Sequence, residues 1–287
     1  LVTRRPWLPV LLAAVLLAGC SSDTGASPNA AGPNATNATD GTDATTPEAT
    51  TATTRPDDGR PHVVLGGDSV MGNLAPGVIA GLGDAVSAEY LAQARISGDA
   101  SATQAWRSMV EEQDPDLIVI HVGSWEVLSP TFRPSRPGWY PQYAANVLDP
   151  FVALLTSGGA RVLFIGPGAA RHEQKTVNLI HLNRQLVALD ERNPDVDFLN
   201  SGTYVNGPTG GFTEVLPGPG GEPVRIHRTD DLGLHLCPAG VVRLATPVIE
   251  WIDENLDEDI TPVAGWDHAD WTRPPLLEKP EQCPPVS

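Results

Sequence analysis

Three cysteines in 287 residues are too few for a disulfide scaffold, and no Cys-x-x-Cys pair exists to build a structural zinc site. Basic residues are also scarce: Lys and Arg total 18 against 35 Asp and Glu, a formal net charge of -17. No basic run exceeds Arg4-Arg5. Nucleic-acid binding needs a basic face to neutralise phosphates, so the acidity argues against that class and against polyanionic partners in general. No HExxH, P-loop or dinucleotide fingerprint occurs, so neither a metal nor an organic cofactor is indicated. The apolar run from Trp7 to Ala18 is too short to span a bilayer stably. What is present is enough apolar material, 41% of residues, to fill a sizeable core.

The chain is segmented. Residues 1–19 have a charged start (Arg4, Arg5) and a short apolar stretch, which suit a signal peptide. They end in Leu17-Ala18-Gly19 before Cys20. Small residues directly before a cysteine resemble the lipobox of bacterial lipoproteins, which implies lipidation of Cys20 and a membrane anchor. The alternative is an ordinary secretory signal and a secreted protein. Leu1 in the place of an initiator methionine reads as literal translation of an alternative start codon and points to a bacterium. From residue 21 to 60 there is no Leu, Ile, Val, Met or aromatic residue. Such a segment cannot bury enough apolar surface to offset its ordering entropy, so residues 20–60 are expected to be a disordered tether. As a flexible coil its length gives roughly 35 Å root-mean-square reach. Of the net charge, the tether contributes -4 and the remainder of the mature chain -15, so the acidity belongs mainly to the folded part.

Residues 61–287 are expected to form one domain. Short apolar runs at 62–66, 116–122, 161–166 and 196–199, with a weaker one at 86–90, alternate with helix-period segments at 102–112, 140–157 and 176–192. That alternation reads as βαβ units around a parallel sheet. Pro150 is expected to interrupt or kink the second helical segment. Val241, Val242, Ala245, Val248, Ile249 and Ile252 give a last helix an apolar face, with Pro238 near its first turn and Pro247 expected to kink it. Residues 202–223 are Gly/Pro-rich without periodicity and read as a long loop.

In open parallel sheets, ligands sit beyond the carboxyl ends of the strands. The first strand is followed by Gly66-Gly67-Asp68-Ser69, which puts a serine at a strand-to-helix turn near a positive helix terminus. A base for that serine is found in Asp230-Asp231-Leu232-Gly233-Leu234-His235, just before the last helix, where an upstream carboxylate can fix the imidazole. His121 lies inside a strand and reads as a core or orienting residue. His172 reads as a loop residue and His181 as a helix-surface residue, and His62, His227 and His268 carry no motif.

Gly67-Asp68-Ser69 near the domain start, a glycine about thirty residues on, a glycine turn after a central strand and an Asp with His-Leu near the end together resemble the SGNH/GDSL hydrolase family. The resemblance implies a three-layer α/β/α sandwich around a mostly parallel, flavodoxin-like sheet. It implies Ser69 as nucleophile, His235 as base and Asp231 as the carboxylate, with Asp230 the other possibility. The Ser69 and Gly98 N–H groups would then form the oxyanion hole. Two departures stand out. The family's turn of Gly-x-Asn-Asp is here Gly123-Ser124-Trp125-Glu126, so Trp125 stands where an asparagine would donate. The family's aspartate lies three residues before the histidine, and here that position is Leu232. Both departures, with the His-Leu-Cys-Pro-Ala-Gly run and a Trp/Pro-rich tail, resemble the SGNH domains that actinobacteria deploy beside membrane acyltransferases.

If Cys20 is lipidated, Cys237 and Cys283 remain as an even pair in an oxidising compartment and are expected to form a disulfide, the alternative being two buried free thiols. Trp266 and Trp271 read as cover for the domain. The expected activity is an extracytoplasmic acyl-ester hydrolase, an esterase or deacetylase. Its substrate would be an acylated small molecule or O-acylated envelope glycan, at the outer face of the plasma membrane. Two other outcomes fit the same residues. One is an O-acyltransferase working with a membrane acyltransferase partner, the other a non-catalytic glycan- or partner-binding lipoprotein.

Overall fold

The computed structural model describes residues 58–91, 96, 100–128, 139–256, 259–272 and 279–286. The expected signal peptide, Cys20, residues 21–57 of the expected tether and Gly98 lie outside the described residues.

Five strands, β1 (His62–Gly67), β2 (Ser87–Leu91), β3 (Leu117–His121), β4 (Arg161–Gly166) and β5 (Val196–Asn200), form one sheet in the order β2-β1-β3-β4-β5. Every pairing is parallel. The inner strands β1 and β3 are buried at every position, as continuous apolar runs covered on both faces must be. The edge strands β2 and β5 are only half-buried along most of their length, which is why residues 86–90 give the weaker signal in the sequence.

Strand alternation sends Val63, Leu65, Val119, Leu163 and Ile165 to one face, where α1 (Ser69–Leu82) and α8 (Pro238–Asn255) cover them. Val64, Ile118, Ile120, Val162 and Phe164 face the other layer, made by α2 (Ala100–Gln113), α5 (Asp149–Leu155) and α6 (Glu173–Arg192). The result is the three-layer α/β/α sandwich with a flavodoxin-like strand order. α8 buries Val241, Leu244, Ala245, Val248, Ile249 and Ile252, a helical stripe at i, i+3, i+4, i+7, i+8 and i+11. It lies close to α1 because Gly81 has no side chain: a Cβ there would come within 2.3 Å of Ile249 Cδ1. Trp266 and Trp271, stacked at 6.4 Å between ring centroids, pack on this same layer.

Pro150 and Pro247 both fall in helical segments. The irregularity near Pro150 precedes it: α4 (Trp139–Tyr143) passes into a π-helical segment, Ala144–Leu148, and α5 then begins with Pro150 near its first turn. Proline has no N–H for the carbonyl four residues back and its ring crowds that carbonyl, so the chain widens upstream and restarts. Pro247 sits inside α8, which continues to Asn255. The segment 202–223, read as an unstructured loop, instead contains α7 (Gly202–Val205) and the first strand of a hairpin, β6 (Val215–Pro217) paired with β7 (Pro223–Arg225). Three-residue strands, each with a proline, show no usable alternation.

Cys237, the N-cap of α8, is bonded to Cys283 of the C-terminal tail across a sequence separation of 46. Thr229 N–H donates to the Gln282 carbonyl at 2.9 Å and Arg225 Nε to the Pro284 carbonyl at 2.8 Å, so the tail is tied to the segment before α8 at several points. Closing a loop of that length is worth roughly 4 kcal/mol in the chain-entropy account. Reduction, or Cys283→Ser, is therefore expected to lower the melting temperature by several degrees in a calorimetric scan. An unchanged transition under reductant, with both thiols confirmed free by mass spectrometry, would contradict this.

Candidate active site

The strand order reverses direction between β1 and β3, because the chain leaves β1 outward to β2 and then crosses back. Crevices at such a point, beyond the carboxyl ends of the strands, are where open α/β sheets bind ligands. Ser69 follows β1 there, and Ser124 and Trp125 follow β3.

Local chemistry fixes each of these turns. Gly67 has φ +125°, and a Cβ on it would sit 2.1 Å from the His121 carbonyl oxygen, so only glycine lets β1 end this close to β3. Asp68 then caps α1, its Oδ1 accepting from Val70 N–H at 2.9 Å. The same carboxylate is fully buried and holds two further groups: His121 Nδ1 donates to Oδ1 at 2.8 Å, and Ser124 N–H donates to Oδ2 at 3.0 Å. Burial alone would push this carboxyl up, but the His121 charge and hydrogen bond and the Ser124 N–H outweigh it and hold Asp68 below the usual carboxylate range. His121 is thus an orienting residue as well as a core one.

Glu126 is the second buried acid. Its Oε2 accepts from Gly123 N–H at 2.8 Å, the return half of a capping box at the start of α3 (Ser124–Leu128), and Tyr143 Oη donates to Oε1 at 3.4 Å. Burial, reinforced by the nearby Asp68 carboxylate, raises its pKa. Burial and Glu126 together raise the Tyr143 phenol well above its ordinary value.

The imidazole beside Ser69 comes from the far end of the chain. His235 Nε2 lies 2.8 Å from Ser69 Oγ, and His235 Nδ1 lies 2.8 Å from Asp230 Oδ2. The expected partner Asp231 is not there. Its side chain is 92% exposed and meets His172 at 3.5 Å on the surface. The reason is the turn between them: Asp230 Oδ1 accepts from Gly233 N–H at 2.6 Å, and Gly233 has φ +64°. That closed turn aims Asp230 inward and leaves its neighbour in solvent. Partial burial pushes the Asp230 carboxyl up, but the His235 hydrogen bond and the Gly233 N–H more than offset it, keeping Asp230 below the usual carboxylate range.

Ser69 is exposed. Its backbone N–H, in the first turn of α1, has no hydrogen-bond partner among the described residues and is available to an anion. Trp125 is the second residue of α3 and 39% exposed. Among the described residues, no cluster of three or more His, Cys, Asp or Glu side chains could hold a metal ion.

Residues that sequence reasoning missed are those that act through others. Glu126 was seen only as the end of an altered motif, and Arg171, which contacts the loop carrying Asp230, carried no signal at all. The chemical capability of the arrangement is that of a serine–imidazole–carboxylate chain: Nδ1–H of His235 donates to Asp230, leaving Nε2 to accept the Ser69 proton.

Residues 62–251 match a family described as "Protein of unknown function (DUF459)". No curated protein matches the sequence. Among solved structures, a GDSL-like lipase from Bacteroides thetaiotaomicron superposes with a TM-score of 0.50 at 16% identity, covering 71% of this chain and 94% of that one. A family 3 carbohydrate esterase from Clostridium thermocellum gives 0.44 at 13% identity, covering 68% and 97%. An acetylxylan esterase from Geobacillus stearothermophilus gives 0.40 at 11% identity, covering 70% and 96%. At these identities the likeness is one of fold, shared with the GDSL-like lipase.

The raised Glu126 pKa has a definite sign. An acid whose folded-state pKa exceeds its unfolded value costs stability above that folded value and costs none below the unfolded one. Glu126→Gln, which keeps the acceptor for Gly123, is therefore expected to raise the melting temperature at neutral pH. The gain should vanish in acid below the unfolded glutamate pKa of about 4.3. Thermal scans of both proteins across pH would check it; a gain independent of pH would contradict the ionisation argument.

Proposed function

This chain belongs to the DUF459 family, and we propose that it is a serine-nucleophile acyl-ester hydrolase using Ser69, His235 and Asp230. The observation that carries the reading is the unbroken chain of 2.8 Å contacts from Ser69 Oγ through the imidazole to Asp230. Packing alone gives no reason for a partly exposed imidazole to bridge a serine 166 residues away and a carboxylate five residues away in just this order.

In the proposed reaction, His235 Nε2 takes the Ser69 proton as Oγ bonds to the ester carbonyl carbon. Asp230 stabilises the imidazolium, and the Ser69 N–H faces the oxyanion, with Gly98 the second donor implied by the family resemblance. Collapse of the tetrahedral species breaks the carbon–oxygen bond to the alcohol, which leaves with the proton from His235. Water then enters by the same route and frees the acid. The triad itself does not choose the second nucleophile. With a sugar hydroxyl in place of water the same acyl-enzyme would make an O-acyltransferase.

The substrate class we favour is an O-acylated envelope glycan. Its support is the sequence: a lipoprotein-like signal at Cys20, a tether, and an acidic domain that disfavours polyanionic ligands. A disulfide at Cys237–Cys283 fits an oxidising compartment outside the cytoplasm. The second reading, a glycan- or partner-binding lipoprotein without turnover, is favoured by Trp125 in the position of an amide donor. Losing one oxyanion donor costs about 3–4 kcal/mol in enzymes that depend on it.

The purified protein assayed on short-chain acyl esters tests the proposal. Ser69→Ala is expected to abolish hydrolysis, and activity that survives it would remove Ser69 as nucleophile. Asp230→Asn is expected to lower kcat by roughly 10⁴-fold, as loss of the orienting carboxylate does in serine triads. Asp231→Asn should stay within about twofold, as an exposed residue outside the chain. The reverse ranking would restore Asp231 to the role the family spacing suggested.

A further inference from the structure

The carboxylate and the imidazole of the proposed triad sit on a segment, residues 228–236, that precedes α8 and belongs to neither the sheet nor a helix. Besides the C-terminal tail, a guanidinium holds this segment. Arg171, in the connection between β4 and α6, donates from Nε to the Asp230 carbonyl at 3.2 Å and from Nη2 to the Arg228 carbonyl at 3.3 Å. Its own backbone N–H donates to the Leu232 carbonyl at 2.9 Å. One residue therefore engages three carbonyls around Asp230. Arg228 is in turn paired to the other side of the segment, its N–H donating to the His235 carbonyl at 2.9 Å.

The guanidinium is itself oriented. Nη1 pairs with Glu214, whose second oxygen accepts from Arg225 Nη1 at 2.6 Å, and its plane lies over the Phe212 ring with Cζ 4.9 Å from the centroid. The two arginines outweigh partial burial and hold the Glu214 carboxyl below its usual range. Stacking on a ring and forking to several acceptors are things a planar guanidinium does and an ammonium does not.

We infer that Arg171 is a positioning residue for the Asp230–His235 couple, setting the backbone from which Asp230 projects without touching substrate. The inference rests on the triad reading above. Its physical basis is the steep dependence of catalysis on geometry, where a displacement of about 1 Å costs on the order of a hundredfold.

Two measurements on the full-length protein test it. In the first, the low-field proton of His235 Nδ1–H, identified by its loss in His235→Gln, is followed by NMR. It is expected in the parent protein and expected to be lost or moved upfield in Arg171→Ala. In the second, ester hydrolysis by Arg171→Ala is expected to fall in kcat by roughly tenfold to a hundredfold with KM nearly unchanged. Millimolar guanidinium should restore part of it, and Arg171→Lys should not. Where Arg171→Ala fails to fold, Arg171→Lys takes its place and is expected to show the same loss of proton signal and kcat.

A variant that keeps both the proton signal and kcat overturns the inference. So does full activity in Arg171→Lys, which would mean that charge alone suffices, and so does a fall in kcat with the proton signal intact. If the parent shows the proton signal, Arg171→Ala loses it and neither hydrolyses any ester, the positioning role stands and the hydrolase reading falls.

Discussion

The buried carboxylate of Asp68 is the joint on which the candidate site hangs. It ends β1, caps α1, holds the ring of His121 at the end of β3 and receives the first N–H of α3, so a single side chain sets the relation among these elements. A carboxylate removed from water is tolerated only when its lone pairs are occupied by donors, and here two backbone N–H groups and an imidazole occupy them. Ser69, the next residue, inherits its place from that arrangement. Because α1 begins at this joint, the Ser69 N–H is left without a partner among the described residues, beyond the carboxyl ends of β1 and β3.

The other half of the site is held by quite different means. The segment carrying Asp230 and His235 has no ladder of its own beyond the bridge between His227 and Leu236. It is fastened instead by long-range contacts: Arg171 from the β4–α6 connection, Glu214 and Arg225 from either side of the hairpin, and the C-terminal tail through Cys283 and Gln282. Ser69, at the start of α1, thus meets His235 on a stapled loop. The contact between them spans 166 residues of sequence, and either side alone would be an exposed serine or an ordinary surface histidine.

The architecture was largely legible because its cause is local. Strands such as Leu117–His121, buried on both faces, must be apolar throughout, and α8 must carry a stripe at helical spacing. Each imprints a period on the sequence. The hairpin of β6 and β7 left no such imprint, being three residues a side with proline at two positions. The restart at Pro150 was visible as a disturbance but not its form, since relief upstream by a π-helical segment depends on what α4 packs against.

In the site, the residue types at Ser69 and His235 were fixed by the chemistry they can do, and the motif spacing pointed to them. The choice between Asp230 and Asp231 was not in the sequence. Adjacent carboxylates have the same chemistry, and only the turn closed by Gly233 decides that one faces the imidazole and the other the solvent. Asp68 with His121, and Arg171 with its three carbonyls, belong to the same class. Their partners lie 53 to 61 residues away in the chain, and no period or short motif records a contact of that range. The sequence by itself determined the layers and the reactive groups, because burial and bond chemistry act on each residue where it stands. The tertiary structure alone decided which groups meet, because direction and distance exist only once the chain has closed on itself.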